Sequence, residues 1–257
     1  MSTTSTGGAR AVEIIGLREV PEVRPGDDLA LLVRDAARAS GVALRSGDVL
    51  VVTQKVVSKA EGRLVNLEEV TPSSLALEFA ERWKKDARYV EVVLRESMRI
   101  VRMARGIIIS ETRHGFVCAN AGVDASNIPG DTACLLPLDP DASASTLRAA
   151  LMRELGVDLA VIISDSFGRP WRNGITNVAI GVAGMLPLAD YRGQPDDFGR
   201  VMHASVLAVA DELASAAELA TGKIGRCPFA LIRGYDYPCG EGRARDLVMD
   251  SAADLFR

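Results

Sequence analysis

Leu159-Ala-Val-Ile-Ile-Ser-Asp-Ser-Phe-Gly-Arg-Pro-Trp-Arg-Asn-Gly174 decides how the rest of the chain is read. Its first five residues are apolar and mostly β-branched, the composition of a buried strand. The run ends in Ser164, Asp165 and Ser166, and Arg169, Trp171 and Arg172 follow at once. Buried strands usually finish in a plain turn. Here a carboxylate, two hydroxyls and two guanidinium groups are expected at a single point. Oxygen ligands beside fixed positive charge suit a divalent metal and a phosphate chain together. The competing structural reading has Asp165 capping a turn and paired with Arg169 or Arg172. Trp171 reads as an ordinary packing residue, with stacking on a flat ring as the alternative.

Outward from this strand, Ser143 or Ser145 starts a helix that ends near Gly156, and residues 175–182 form another strand. Toward the N-terminus, residues 12–17 and 48–53 read as strands. Between them Asp27 or Asp28 caps a helix to about Ser40, with Gly41 ending it. The β-branched pairs Val51-Val52 and Val56-Val57 extend the second strand past a bend. Thr71-Pro72 starts a helix to about Trp83, and a further helix covers residues 89–96. Residues 99–103, 106–111 and 116–120 are short strands joined by tight turns, an antiparallel meander. Residues 204–220 form the longest helix, 229–233 the last strand, and 245–255 a closing helix. Helices and antiparallel strands mix without regular βαβ alternation, so the fold class is α+β.

The 257 residues fit one large domain or two small interlocked ones, and no linker or repeat divides them. Roughly 70–75% of the unfolded surface can be buried at this length. Thirty basic against 34 acidic residues give a net charge of −4, which argues against a general nucleic-acid binder. Phosphate recognition must then come from a local cluster of cations. Residues 1–10 are small, polar and expected to be disordered, with no secretory h-region, and no apolar run is long enough to span a membrane. Four cysteines without a CxxC pair, and only two histidines, make a structural zinc site a poor reading. Reduced thiols in a cytoplasmic protein fit better.

Two further segments are polar and glycine-punctuated. In Val51-Val-Thr-Gln-Lys-Val-Val-Ser-Lys-Ala-Glu-Gly-Arg63, the cations Lys55, Lys59 and Arg63 recur every four residues. Either they are plain surface cations, or Lys59 sits at a phosphate beside a glycine bend. Asn120-Ala-Gly-Val-Asp-Ala-Ser-Asn127 follows a strand and reads as an Asx-type turn, with Asp124 bonding its own backbone. Asp124 gains interest if Asp165 lies beside it. There is no GxxxxGK(S/T) loop, no GxGxxG after a strand, no GxSxG elbow and no HExxH helix.

Together these segments, with Pro25-Gly-Asp-Asp-Leu29, Leu135-Leu-Pro-Leu-Asp-Pro-Asp141 and Ala210-Asp-Glu212, resemble the coenzyme F-420-0:L-glutamate ligase family over about residues 12–237. The resemblance implies a GTP-dependent ligase using Mg2+ or Mn2+, with two interlocked α/β subdomains, largely antiparallel sheets and an intertwined homodimer. It corresponds to the ligase alone, without the nitroreductase-like domain fused to it in some actinobacterial relatives. On the family pattern, Asp124 and Asp165 match metal ligands and Ser166 a hydroxyl ligand to a second metal. Val20, Pro21, Glu22, Val23, Lys59, Asn127 and a loop near Thr221–Pro228, with Gly222 and Lys223, match the nucleotide site. Gln54 stands where a serine is common among nucleotide contacts. Lys223 falls where some archaeal relatives offer a carboxylate to the second metal; a charged lysine cannot ligate a cation but can meet phosphate. The implied reaction activates the F-420-0 carboxylate as an acyl phosphate, which the L-glutamate amine then attacks. Asp124, Asp165 and Lys59 are the residues expected to carry it.

Without the resemblance, the same carboxylates also fit a metal-dependent phosphohydrolase or phosphotransferase. A nucleotide-binding scaffold has no need of paired metal ligands.

Overall fold

The computed structural model describes residues 11–126, 130–250 and 252–253. In chain order the strands are β1 (Glu13–Leu17), β2 (Val49–Thr53), β3 (Leu64–Asn66), β4 (Ser97–Ala104), β5 (Ile107–Thr112), β6 (Val117–Ala119), β7 (Thr132–Cys134), β8 (Ala160–Arg169), β9 (Arg172–Ala183), β10 (Ala189–Asp190), β11 (Val206–Leu207) and β12 (Phe229–Arg233). The α-helices are α1 (Leu29–Ala39), α2 (Gln54–Ala60), α3 (Ser74–Trp83), α4 (Ala87–Glu96), α5 (Pro140–Leu155) and α6 (Val209–Thr221).

The largest sheet has the order β1-β12-β2-β8-β9, antiparallel throughout except where β2 runs parallel to β8. Val49 to Val52 and Ala160 to Ser164 are buried without alternation, so both faces of these strands are covered. Helix α6 crosses the sheet and touches all five strands, whereas α5 packs on β8 and β9, and α1 on α5 and β1. Leu50, Ile162, Ile163, Phe229 and Leu231 are fully buried at the centre. A second apolar core forms from the stretch between Leu67 and Leu135, where α3, α4 and the meander β4-β5-β6 enclose Phe79, Val90, Val93 and Ile108. Mixed helices and mostly antiparallel sheets make the fold α+β, as expected.

Several local expectations are corrected. Residues 54–60 are helical, not a continued strand: burial of Val56, Val57 and Ser58 outweighs the strand preference of the valines. The third helix starts after Ser73, whose hydroxyl accepts from Ala76 N, and not at Thr71-Pro72. Helix α5 begins earlier than the serines suggest, because Asp139 caps it ahead of Pro140. At 16 residues it exceeds α6, whose 13 residues begin only at Val209. The closing helix is absent among the described residues, where Ala244–Leu247 forms a single 3-10 turn. The expectation for residues 1–10 lies outside the described residues.

Gly181 lies where β9 passes under the start of α5, and a Cβ there would collide with the Pro140 carbonyl. Gly181→Ala is therefore expected to lower unfolding free energy by about 1–3 kcal/mol through overpacking. Urea denaturation checks this, and an unchanged midpoint would show that α5 moves aside freely.

Candidate active site

A cleft of about 1090 Å3 opens where the pairing of β2 with β8 ends, at the C-terminal end of β2. Open α/β sheets commonly bind ligands outside the carboxyl ends of their strands. Thr53 and Ser164 are register partners, and beyond them the two strands part. The chain after Thr53 turns at once into α2, while β8 runs straight on through Asp165 and Ser166. Val20, Pro21, Glu22 and Val23 form one wall, and Gln54, Lys55 and Lys59 of α2 another. Asp124 and Ser126 face in from the second core, and Gly222, Lys223 and Arg226 from the loop after α6. Asn127 lies outside the described residues.

Lys55 and Lys59 stand one helical turn apart and both look into the cleft, so they are not a solvated surface stripe. The Lys55 ammonium donates to Asp124 Oδ2 at 2.7 Å, Ser126 O at 2.8 Å and Ser126 Oγ at 3.0 Å. Lys59, only 7% exposed, pairs with Glu22 Oε1 at 2.5 Å. Arg63 turns elsewhere, to Glu96 at 3.1 Å and the Leu136 carbonyl at 3.0 Å. Gln54 keeps its Oε1 for the Ser58 hydroxyl at 2.8 Å. Lys223 donates to Ser166 Oγ and lies 3.4 Å from Glu218 Oε1.

Asp124 makes the expected Asx turn, accepting from Ser126 N at 2.6 Å, and lines the same cleft as Asp165. The turn reading and the site reading of Asp124 thus hold together. The two arginines do not converge with Asp165. Strand β8 continues four residues past it, about 13 Å at the usual rise. Arg169 there bonds Asn173 O at 3.2 Å, and neither arginine lines the cleft. Trp171 is 78% exposed at the turn between β8 and β9, so it does not pack into the core of this chain.

The F420-0:gamma-glutamyl ligase family profile matches residues 17–234. A coenzyme F420:L-glutamate ligase of Methanothermobacter thermautotrophicus is 45% identical over 251 residues, 96% of this chain and 99% of that protein. One from Methanopyrus kandleri is 45% identical over 256 residues, 98% of this chain and all of the relative. A third, from Methanocaldococcus jannaschii, is 41% identical over 249 residues, covering 96% and 98%. The chain belongs to the F420-0:gamma-glutamyl ligase family.

In this family member the two cleft carboxylates have opposite electrostatic settings. Burial raises the Asp124 carboxyl, but the Lys55 hydrogen bond and the Ser126 N–H outweigh it and leave it below the ordinary value. Burial raises Asp165 to about 6, and the Asp124 charge adds to the shift. Burial lifts the neighbouring Cys118 thiol to about 12, with Asp165 contributing, so it offers no thiolate. The sequence reading missed Asn177 and Ser126 as cleft residues. Asn177 was detectable as the one amide among the small and apolar residues 175–182.

These oxygen donors fit a hard cation. Among the described residues no group of three or more His, Cys, Asp or Glu could hold an ion by itself. Mg2+ and Mn2+ are commonly held by one or two carboxylates plus substrate phosphate, which matches Asp124 and Asp165 in an open cleft.

A carboxyl raised on folding favours the folded state while protonated. That contribution is complete below the unfolded value near 4 and is lost as pH rises through about 6. Asp165→Asn, neutral at every pH, should therefore melt higher than the parent at pH 8 without ligand, with the gain vanishing toward pH 4. Melting curves across that range decide it. A variant less stable than the parent at pH 8 would mean that the ionised carboxylate supports the fold.

Proposed function

We propose that this protein is a GTP- and divalent-metal-dependent ligase that joins the carboxylate of coenzyme F420-0 to the amino group of L-glutamate, releasing GDP and phosphate. The observation that carries the reading is one cleft lined by Asp124 and Asp165 together with Lys55, Lys59, Lys223 and Arg226. Family membership names the substrates, since the relatives are coenzyme F420:L-glutamate ligases.

A carboxylate resists attack by an amine because its leaving group is oxide. Transfer of the GTP γ-phosphoryl to the F420-0 carboxylate gives an acyl phosphate; the glutamate nitrogen then attacks the acyl carbon, and phosphate departs with both electrons of the C–O bond. The work left to the protein is positioning and charge neutralisation. Asp124 and Asp165, with Ser166 as a further oxygen ligand, would hold Mg2+ or Mn2+, which neutralises phosphate charge when bound. Lys59 binds nucleotide phosphate after exchanging Glu22 for it, and Lys223 and Arg226 bring positive charge from the opposite loop. Val20, Pro21, Val23, Gln54, Asn127 and Gly222 are assigned to the rest of the nucleotide site.

A homodimer is part of the proposal. Met98, Val101 and Ile107 of the meander, and Trp171 and Ile175 near the β8–β9 turn, are exposed apolar side chains of the kind that association covers. Among the described residues no helix is long and apolar enough to cross a membrane. All four cysteines are free thiols, which fits a reducing cytoplasmic setting.

Phosphate release from GTP is expected to need metal, glutamate and F420-0 together, with mass spectrometry showing the glutamylated coenzyme. GTP should outcompete ATP at equal concentration. Release of phosphate without either acceptor would favour a phosphohydrolase, and better turnover with ATP would overturn the nucleotide assignment.

Lys59→Ala removes one charge-assisted contact, worth about 1.5–3 kcal/mol, so kcat/KM for GTP should fall roughly ten- to a hundredfold. Steady-state kinetics check this, with the loss expected mainly in KM. Because Lys59 is buried and paired, the melting temperature is measured alongside. Unchanged GTP kinetics with a large stability loss would make Lys59 a structural cation.

A further inference from the structure

Ser166 on β8 stands directly across from Asn177 on β9. Asn177 is 6% exposed and lines the cleft. Its Oδ1 lies 2.7 Å from Ser166 Oγ, and Lys223 Nζ contacts the same hydroxyl oxygen. Donor counting fixes the direction of both bonds. An ammonium only donates, so Ser166 accepts from Lys223; the single hydroxyl proton then goes to Asn177 Oδ1. With its proton committed, Ser166 offers the cleft nothing but lone pairs. Such an oxygen receives a cation and cannot donate to phosphate.

Asn177 is itself held in place. The Ser215 hydroxyl of α6 donates to its carbonyl at 2.7 Å and pairs with Thr176 Oγ1 at 2.9 Å. The backbone beneath the amide is therefore tied to both β8 and α6. Without the amide oxygen, the Ser166 hydroxyl could swing its proton toward the cleft.

We infer that Asn177 is a positioning residue that locks Ser166 as a cation-accepting oxygen, toward the Lys223 ammonium seen here and toward a divalent metal in the reaction. The inference rests on the proposed metal-dependent ligase reading. It assigns Asn177 no contact with the reacting atoms; it acts through Ser166.

Mn2+ affinity, measured by electron paramagnetic resonance with a slowly hydrolysed GTP analogue, tests it on the full chain. Asn177→Ala should weaken Mn2+ binding about 10- to 100-fold, the usual effect of losing a partner behind a metal ligand. Asn177→Asp keeps an accepting oxygen and should bind Mn2+ at least as well as the parent. In a Ser166→Ala background, Asn177→Ala should add no further loss, because the residue works only through that hydroxyl. Melting temperatures of all variants establish that they are folded. Parental Mn2+ affinity in Asn177→Ala would overturn the inference and leave the metal-dependent reading standing. So would equal losses in Asn177→Ala and Asn177→Asp, or an undiminished loss in the Ser166→Ala background. Failure of the parent itself to bind Mn2+ would remove the metal-dependent reading and this inference together.

Discussion

The parallel pairing of β2 with β8 is the constraint from which the site follows. Val49 to Thr53 lie in register with Ala160 to Ser164, and the buried side chains of both strands leave no room for a slip. A one-residue shift would turn each strand's side chains to the opposite face. The start of β2 is clamped as well: Asp48, 2% exposed, accepts from Arg233 Nε at 2.8 Å and Nη2 at 2.7 Å, a two-pronged bond from β12. Their pairing ends at Thr53 and Ser164, and because the chain after Thr53 turns into α2 while β8 runs on, a gap opens between them. Helix α2 carries lysines along one side of it and β8 carries a carboxylate and hydroxyl along the other. The cleft is therefore a product of sheet geometry, and its chemistry a product of which residues occupy the two exits.

The cations in that gap already have partners. Lys55 holds Asp124, Lys59 holds Glu22, and Lys223 lies between Ser166 and Glu218. On the proposed reading, a phosphate chain entering the cleft would exchange these contacts and not simply add to them. The net gain per contact is smaller than its Coulombic strength, because each displaced carboxylate must be resolvated or paired anew. Glu22 is well suited to release, since its side chain is 48% exposed. This arrangement also keeps a cation-rich cleft compatible with an acidic protein of net charge −4.

Much of this was legible in the sequence, and the failures have physical causes. The quoted motifs divide into two kinds that look alike as letters. Asp28 caps α1, Asp139 caps α5, Asp141 accepts from Val182 N and Ala244 N, and Asp211 from Ala179 N. Those aspartates hold backbone, whereas Asp124 and Asp165 face the cleft. Only tertiary position separates them. Helix α2 was misread because valine pairs favour strands locally, while the burial that makes them helical comes from residues far away in sequence. Arg169 and Arg172 were misplaced because nothing after Ser166 marks a strand end; the glycine and proline that suggest a turn lie in the tip of a longer hairpin. Asn177 escaped notice because its function depends on its cross-strand partner, and single-sequence reading does not give register.

On the proposed metal-dependent reading, the opposed settings of the two carboxylates couple metal entry to displacement of Lys55 and, in acid, to loss of the Asp165 proton. Asp124 is kept ionised by Lys55, so a cation binding there must displace an ammonium that holds three oxygens. Asp165 is raised to about 6 by burial and by Asp124, so below that pH the same cation would also have to displace a proton, whereas at neutral pH the carboxylate is already mostly ionised. The Lys55 contact opposes binding of a bare ion at every pH, and the Asp165 proton opposes it only in acid. Both displacements become easier when phosphate arrives with the metal, because the freed Lys55 gains an anionic partner and the added positive charge lowers Asp165. Metal and nucleotide are thus expected to bind as one unit. Ser166, held with its lone pairs toward the cleft, needs no such rearrangement beyond the departure of Lys223, whose ammonium is then available to a phosphate oxygen.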